Sequence, residues 1–406
     1  ENNTIIGNII SKNQWDGLYL DYSSNNTIVD NTIFENEGGI NLHHSSDHCN
    51  ITANILYSNQ GDGITLSWGS DKNKVVDNII SDSKNGIYIS GSENEIVGNS
   101  LSDNFYTGME VFGAYNSTIS NNRIFSSSWG IWIAFEGSYN IVDNNTIQTG
   151  GIGIKIEDEE CHNNTITNNS VKAFSVCGIS LVSCNYNALL HNTVQECGYL
   201  YGGLDSLRGG ICVESSSHNT IINNTAINNG FFILGSVDES PNETSASNDE
   251  RYGIHFWLSN ENLIKNNDFS SNKDGGICLD TSNKNEIIGN NITKNGRVGI
   301  NISNSTSNSV YHNNFINNPK QAFDDLSNSW DNGPIEGGNY WSDHLCYGNP
   351  SNGSHPYYID VNSSDHYPFQ DQNGWLIPQI LPVHNLNTGE NFLTIQAAID
   401  DPDTLD

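Results

Sequence analysis

The feature that most constrains the fold is an asparagine-based repeat that follows the pattern N-x-I-x-x-N-x-I. Most copies are spaced 21 to 24 residues apart along the 406-residue chain. The first position of the thirteen copies is occupied by Asn3, Asn26, Cys49, Asn73, Asn94, Ser117, Asn140, Asn164, Asn187, Asn219, Asn262, Asn285 and Asn308. A period in the twenties is too short for a helical-hairpin repeat, and it fits one turn of a solenoid.

Each copy contains short runs of alternating apolar residues bounded by Gly, Asn and Asp, and it ends in a strand of the type G-I-x-I, as at 86–89. Such runs are typical of short strands with one buried face. The pattern predicts an all-β right-handed parallel β-helix (solenoid) of about 13 coils, roughly 60 Å long at a strand spacing of about 4.8 Å. The residues expected inside are Ile5, Ile28, Val75, Ile96, Ile119, Val142, Ile166, Leu189, Ile221, Ile264, Ile287 and Val310.

The second Asn of each copy lies between two predicted strands. Asn tolerates the left-handed backbone conformation of a sharp corner, and stacked amides can hydrogen-bond from coil to coil. We therefore predict an Asn ladder formed by Asn8, Asn31, Asn54, Asn78, Asn99, Asn122, Asn145, Asn169, Asn192, Asn224, Asn267, Asn290 and Asn313.

These coils resemble the right-handed β-helix repeats of the NosD-like and carbohydrate-binding/sugar-hydrolase (pectate-lyase-like) group of archaeal surface proteins. Residues 338–343 (GNYWSD), 357–360 and 365–369 resemble the closing segment of those proteins, and 392–401 resembles the opening of such a helix. The resemblance implies the fold. It leaves activity open, because β-helices host lyases, hydrolases, epimerases, adhesins and inert spacers.

The order of these segments predicts a domain organisation. Residues 1–325 would be β-helix coils with insertions at 196–208 and 231–251, and 326–369 would be the closing segment. Residues 370–406 would be a linker and the start of a following β-helix unit. We therefore expect an excerpt of a tandem protein whose partners are neighbouring copies or tandem units.

The composition predicts an extracellular or cell-surface location. With 47 acidic and 15 basic residues, the formal net charge of −32 argues against nucleic acid or an anionic membrane as a partner. No stretch approaches the roughly 20 apolar residues of a membrane span, so we expect no direct membrane insertion in this segment. N-glycosylation acceptor sequences occur at Asn50, Asn116, Asn242, Asn291, Asn301, Asn304, Asn352 and Asn362.

The cysteine positions predict disulfides, which form in oxidising compartments. Cys161 and Cys184 occupy equivalent positions of adjacent coils, about 4.8 Å apart and within the Cα range of a disulfide. Cys177 and Cys197 lie near one corner of the same coils and form a second candidate pair. The alternative is that these cysteines are buried free thiols.

A candidate carbohydrate site follows from the two insertions and from the outward positions of the G-I-x-I strands. Both insertions leave from the same corner of adjacent coils, and the outward columns combine carboxylates, aromatic rings and bases. The predicted glycan-binding residues are Glu110, Trp132, Lys155, Glu157, Asp205, Arg208, Glu214, His255 and Trp257, with Glu157 and Glu214 as catalytic candidates. A surface ion-pair cluster is the plainer interpretation.

Two metal hypotheses arise from the same positions. Cys212, His255 and Cys278 occupy consecutive outward rungs, but the end rungs are about 9.6 Å apart, too far for two thiolates on one ion. Asp158, Glu159 and Glu160 could bind calcium, or they could form a solvated turn. No other cofactor is expected.

Three function classes stay open. The first, and the one we favour, is a non-catalytic structural or adhesive module of a tandem β-helix surface, sheath or filament protein, with glycan binding left open. The second is a polysaccharide-acting lyase, hydrolase or epimerase. The third, which follows from the family name alone, is a NosD-like accessory protein for copper-enzyme maturation.

Overall fold

The computed structural model describes residues 1–199, 207–231 and 251–376, together with the backbone of strands Val383–His384 and Asn391–Phe392. The described chain forms an all-β right-handed solenoid of about 14 turns. Each turn contributes strands to three stacked faces, and the pairings between successive turns are parallel. The register shifts by one residue between Gly150 and Ile152, where Thr146–Glu157 pairs with Ser170–Val182. The predicted fold class is therefore confirmed.

Face A consists of the strands that carry the first part of each repeat. Its thirteen described strands are Thr4–Ile6, Thr27–Val29, Asn50–Thr52, Lys74–Val76, Glu95–Val97, Thr118–Ser120, Ile141–Asp143, Thr165–Thr167, Ala188–Leu190, Thr220–Ile222, Leu263–Lys265, Glu286–Ile288 and Ser309–Tyr311.

Face B follows each strand of face A after a short corner. Its separate strands are Ile9–Ser11, Thr32–Phe34, Ile55–Tyr57, Ile79–Ser81, Ser100–Ser102, Thr193–Gln195, Thr225–Ile227, Asp268–Ser270, Asn291–Thr293, Asn314–Ile316 and Tyr340–Trp341. The last of these pairs with Asn314–Ile316, which adds a rung beyond the thirteen of face A.

Face C contains the G-I-x-I strands. Its separate strands are Leu18–Asp21, Ile40–His43, Ile64–Leu66, Asn85–Ile89, Thr107–Phe112, Arg208–Glu214, Arg251–Trp257, Gly275–Asp280, Val298–Ser303 and Lys320–Asp324. Three longer strands, Arg123–Ala134, Thr146–Glu157 and Ser170–Val182, run through faces B and C without a break.

The core is a stack of aliphatic side chains, one from each face per turn. Every predicted inward residue of face A from Ile28 to Val310 is fully buried, whereas Ile5 in the first coil is only half-buried. Alternation along each strand places these side chains inside and their neighbours outside. The periodicity of the repeat therefore identified the core correctly.

The predicted Asn ladder is continuous. Asn54, for example, donates through its backbone N–H and Nδ2 to Oδ1 of Asn78 at 2.9 and 3.0 Å, and Nδ2 also donates to the carbonyl of Ile28. The same arrangement repeats from Asn8 through Asn313 and ends on Asn339. Each buried amide thus satisfies the polar backbone groups of a corner that water cannot reach.

One detail of the prediction is wrong. The ladder asparagines do not adopt the left-handed conformation; the residue before each of them does. Asp30, Ala53 and Asp77 precede ladder asparagines and have φ of 54°, 56° and 54°. The corner bends at the preceding residue so that the Asn side chain can point inward and reach the next coil. At Gly98, where φ is 70°, the sequence uses the residue best suited to this conformation.

A further ladder, which we did not predict, follows face B. Its members include Asn13, Asn36 and Asn59 near the N-terminal end, and Asn229, Asn272, Asn295 and Asn318 near the other end. It is interrupted where Ser127, Gly150 and Phe174 occupy the equivalent positions, which are paired with one another in register. These are the turns in which faces B and C join into one strand. The loss of the corner amide and the straightening of the corner therefore coincide.

The last turns are closed by an aromatic stack. The ring of Trp341 stacks on Phe315 at 4.3 Å and on Tyr357 at 4.0 Å, and Trp330 and Trp341 are both buried. The Trp341 indole donates to Asp365 Oδ2 at 2.9 Å. Helix Gly333–Glu336, the paired strands Tyr357–Tyr358 and Ser364–Asp365, and the 3₁₀ turn Gly374–Leu376 complete this region. Among the described residues, no helix has the length and apolar character needed to span a bilayer.

The ladder predicts a sharp difference between buried and exposed asparagines. Asn145→Ala removes the acceptor for Asn122 and two donated bonds, to Ile119 and Asn169, so we expect a loss of unfolding free energy on the order of 3 kcal/mol. Asn50→Ala, at an exposed strand position, should change stability by less than about 0.5 kcal/mol. Chemical denaturation of both variants tests this, and equal effects would contradict a structural role for the ladder.

The closing segment predicts a pH dependence. Burial raises the pKa of Asp365 to about 7 from 3.8, although hydrogen bonds from Trp341 and Asn339 oppose the shift. Because the folded state holds this proton more tightly than the unfolded chain, Asp365 stabilises the fold fully below about pH 4, and this contribution is lost as the pH rises through about 7. Asp365→Asn should flatten the fall in melting temperature over this interval. Glu336→Gln, at an exposed position, should leave the profile unchanged.

Candidate functional site

The structure places the predicted outward residues in two straight columns on face C. The first column runs Tyr88, Glu110, Trp132, Lys155, Ser180, Cys212, His255, Cys278 and Asn301, each paired in register with the next. The second runs Phe112, Ala134, Glu157, Val182, Glu214, Trp257 and Asp280. Both columns follow the positions expected from the repeat.

A third column lies at the position before each glycine, and sequence reasoning missed it. It contains Asn85, Thr107, Trp129 and Ile152 in successive turns. The glycine that follows is required by close packing, since a Cβ at Gly108 would lie 2.4 Å from Cγ2 of Ile124. The glycine that recurs at the start of each G-I strand was the available signal, because the residue before it occupies the same position in every coil and so forms a column.

The third column brings an aromatic cluster together at the straightened corner. The ring of Trp129 lies 4.6 Å from Trp132 and 4.9 Å from Tyr106. Lys155 Nζ is 5.3 Å from the Trp129 ring and 5.9 Å from the Trp132 ring, and it donates to Glu157 Oε2 at 2.6 Å. Phe112 stacks on Phe135 at 4.1 Å beside this cluster. The result is a half-exposed aromatic surface with one fixed cation.

Two carboxylates border the aromatic cluster. Glu110 is 8% exposed, and its Oε2 accepts a hydrogen bond from Asn85 Nδ2 at 2.8 Å. Burial and then the nearby charge of Asp62 raise the pKa of Glu110. Burial also raises the pKa of Asp62, against the opposing effect of Lys84. Asp62 was not among the predicted residues; it directly precedes Gly63, at the position of the third column, and it meets Glu110 only through the stacking of coils.

One polar atom of the aromatic cluster and one of its bordering carboxylates have no hydrogen-bond partner within the described residues. They are the indole Nε1 of Trp132 and Oδ1 of Asp62, and both are buried. Native structures rarely leave buried polar atoms unpaired. A bound molecule that carries hydroxyl groups could satisfy both the donor and the acceptor.

The predicted glycan-binding residues therefore separate into two groups. Glu110, Trp132, Lys155 and Glu157 lie on neighbouring turns. Glu214, His255 and Trp257 lie further along face C, and Glu157 is two rungs from Glu214. Burial lowers the pKa of His255 to about 4, so its imidazole is neutral at pH 7. Arg208 is buried at the start of its strand, and Asp205 lies outside the described residues.

The predicted disulfides are wrong in this structure. Cys177 bonds to Cys212, with their Cα atoms 6.5 Å apart, and Cys161, Cys184 and Cys197 are buried free thiols. Side chains at equivalent positions of parallel neighbours point in the same direction, so their sulfur atoms do not converge. The Cys184 thiol donates instead to the carbonyl of Ile156. Burial raises the pKa of Cys161 and of Cys184 to about 12.

The same disulfide removes the soft-metal hypothesis for Cys212, His255 and Cys278, because the Cys212 sulfur is already bonded. The calcium candidates Asp158, Glu159 and Glu160 lie in a turn. Within the described residues, their carboxylates do not belong to a group of three potential metal ligands whose ligand atoms lie within 4.8 Å of one another. Glu160 borders a shallow surface depression of about 360 Å³ that is also lined by Tyr139 and His162. Calcium binding stays a prediction.

The glycosylation candidates differ in accessibility. Asn50, Asn116, Asn304, Asn352 and Asn362 are exposed. Asn291 and Asn301 are half-buried in strands, and Asn242 lies outside the described residues. Glycosylation of these positions stays a prediction.

Comparison with known families identifies the chain. A family model described as periplasmic copper-binding protein (NosD) matches residues 1–108 and 202–346, which is more than half of the sequence. The chain belongs to the NosD family. A model of the right-handed β-helix region matches residues 67–226. No curated protein sequence matches the chain.

Several solved structures are similar to this NosD-family chain. A mutant tailspike protein of E. coli bacteriophage HK620 in complex with a pentasaccharide aligns with a TM-score of 0.54 and 10% identity, over 75% of this chain and 65% of that chain. Dettilon tailspike protein aligns with a TM-score of 0.49 and 15% identity, over 65% of this chain and 59% of that chain. The periplasmic alginate epimerase AlgG aligns with a TM-score of 0.41 and 13% identity, over 74% of this chain and 76% of that chain. At 10% identity, the likeness to the HK620 tailspike shows the fold alone.

The observed cysteine pairing leads to a direct test. Mass spectrometry of a digest prepared without reduction should yield a Cys177–Cys212 linked peptide, with Cys161, Cys184 and Cys197 alkylated only after unfolding. Cys177→Ser with Cys212→Ser should lower stability by roughly 2–4 kcal/mol, since the crosslink restricts the unfolded chain. The single variant Cys197→Ser serves as the control. A linked Cys161–Cys184 peptide would show that the sequence-based pairing was right.

Proposed function

We propose that this chain is an extracellular or cell-surface β-helix module that binds polysaccharide on face C without transforming it. The observation that carries the proposal is the aromatic surface formed by Tyr106, Trp129 and Trp132 beside the Lys155–Glu157 pair. Aromatic rings stack on the apolar faces of pyranose rings, and charged and amide groups bond to hydroxyls. These are the two contacts that recognition of a sugar polymer requires.

The form of the surface suits a linear ligand. The columns of face C repeat at the strand spacing of about 4.8 Å, so equivalent side chains recur in a straight line. The disulfide Cys177–Cys212 lies between the aromatic cluster and the second group of predicted residues. We therefore place the principal contacts at the aromatic cluster and its carboxylates, with Glu214 and Trp257 reached only by a longer chain.

The comparisons support a carbohydrate ligand in one respect. The HK620 tailspike, which shares the fold, is described in complex with a pentasaccharide. A location outside the cytoplasm is consistent with the disulfide and with the periplasmic description of the NosD family. The net charge of −32 favours neutral or cationic polymers over strongly acidic ones.

A second candidate function is action on the polysaccharide. The observation in its favour is the pair Asp62 and Glu110, since burial raises the pKa of both carboxyls, which is the direction of shift that a general acid requires. The sequence-based candidate Glu157 is already engaged in an ion pair with Lys155. Glu110 is therefore the residue to test.

The proposal predicts that the two tryptophans of the cluster are required for binding. Trp129→Ala with Trp132→Ala should lower retention on a glycan array by at least about tenfold, because each stacked ring contributes on the order of 1 kcal/mol. Trp15→Ala, an exposed tryptophan elsewhere on the chain, should have no effect. Melting curves of each variant confirm that the fold is retained. Equal retention by the double variant would refute the site.

The same polysaccharides separate binding from catalysis. If the module only binds, incubation with retained polymers yields no new reducing ends, unsaturated sugars or epimers, and Glu110→Gln alters affinity alone. If wild-type protein releases product and Glu110→Gln lowers turnover by orders of magnitude, the enzymatic function is correct.

A further inference from the structure

A second cluster of functional side chains lies in the first two turns, well away from the aromatic surface. Asp21 and His43 are paired in register at the ends of their face C strands. His44 follows directly and has a left-handed backbone conformation, with φ of 44°. This turn swings the His44 imidazole back toward the preceding coil, so that both histidines face the same carboxylate.

The three side chains converge on one point. Nδ1 of His44 lies 2.8 Å and Nδ1 of His43 lies 3.5 Å from the same oxygen, Oδ1 of Asp21. All three ligand atoms lie within 4.8 Å of one another, and in the described part of the chain no other group of three His, Cys, Asp or Glu side chains does so. Bonds of about 2.0–2.2 Å to a central ion place neighbouring ligand atoms roughly 3–4 Å apart.

The surroundings fix the imidazoles while leaving a path for an ion. The Tyr22 ring stacks on His44 at 4.9 Å, and the Trp68 ring lies 5.9 Å from His43 and 5.7 Å from His44. The Asp21, His43 and His44 side chains are 42%, 20% and 36% exposed. Solvent can therefore deliver an ion and supply the remaining ligands.

An ordinary Asp–His ion pair explains this arrangement less well. An ion pair would involve only one of the two imidazoles, and two protonated imidazoles with ring centroids 3.8 Å apart would repel each other. Two neutral imidazoles can instead direct their lone pairs toward one cation next to the carboxylate. Tyr19 Oη, 3.1 Å from His43 Nδ1, is close enough to hold that imidazole in place before an ion binds.

We propose that Asp21, His43 and His44 form a binding site for a divalent transition-metal ion. Two imidazole nitrogens and one carboxylate are ligands suited to Cu²⁺ and Zn²⁺, whereas Mg²⁺ and Ca²⁺ prefer oxygen ligands alone. Copper is expected to bind more tightly than zinc, following the general order of divalent affinities. The ion joins the first coil to the second and is independent of the polysaccharide surface.

Titration of the full chain with Cu²⁺, Zn²⁺ and Mg²⁺ tests the site. Calorimetry should show one tight equivalent for Cu²⁺ and a weaker one for Zn²⁺, with no matching heat for Mg²⁺. Asp21→Asn and His44→Gln should each lower Cu²⁺ affinity by at least about tenfold. His48→Gln, an exposed histidine of the same coil, is the matched control and should bind normally.

Electron paramagnetic resonance of the Cu²⁺-loaded chain gives an independent readout. The spectrum should show coupling to imidazole nitrogens, and His44→Gln should remove one of them. An unchanged spectrum in His44→Gln, or equal affinity in wild type and both ligand variants, would overturn the proposal. Glycan retention after treatment with a chelator should persist, which separates failure of this site from failure of the carbohydrate surface.

Discussion

The structure depends on hydrogen bonding of asparagine amides between successive coils. In most coils of this solenoid the chain turns sharply three times, and each corner leaves backbone N–H and C=O groups that the neighbouring strands cannot pair. The amides of Asn31, Asn54 and Asn78 fill these corners and bond both to the next amide and to a carbonyl of the previous coil. Because each amide is both donor and acceptor, the ladder enforces register as well as closing the corner.

Strict register has a functional consequence. Side chains at equivalent positions form straight columns at a fixed spacing, and a local change in one column changes the surface over several turns. Ser127, Gly150 and Phe174 replace the corner amide in consecutive turns, and there faces B and C merge into continuous strands. The aromatic cluster of Trp129 and Trp132 lies directly beside this change. The candidate carbohydrate surface thus lies where the asparagine ladder of face B is interrupted.

The chain separates its polar chemistry by environment. The amides of the corner ladder are paired from coil to coil and are structural. Glu110 is a buried acid and Asp62 a half-buried one, and the pKa of each is raised because burial disfavours the charged form. The Asp21, His43 and His44 group lies at the surface, where water and ions have access. These sites occupy different turns of the solenoid and share no residue.

The sequence alone determined the fold, the core and the columns, since a period near 23 residues with alternating apolar positions permits few other arrangements. It also placed Glu110, Trp132, Lys155 and Glu157 close together, because counting residues from each repeat asparagine gives the register of neighbouring strands. It did not determine which cysteines bond, because sulfur positions depend on side-chain direction as well as on spacing. The joining of Asp62 to Glu110 and of His44 to Asp21 was likewise decided by tertiary structure. Those contacts arise where the chain leaves the repeat at a corner, and there the local backbone bend decides where each side chain points.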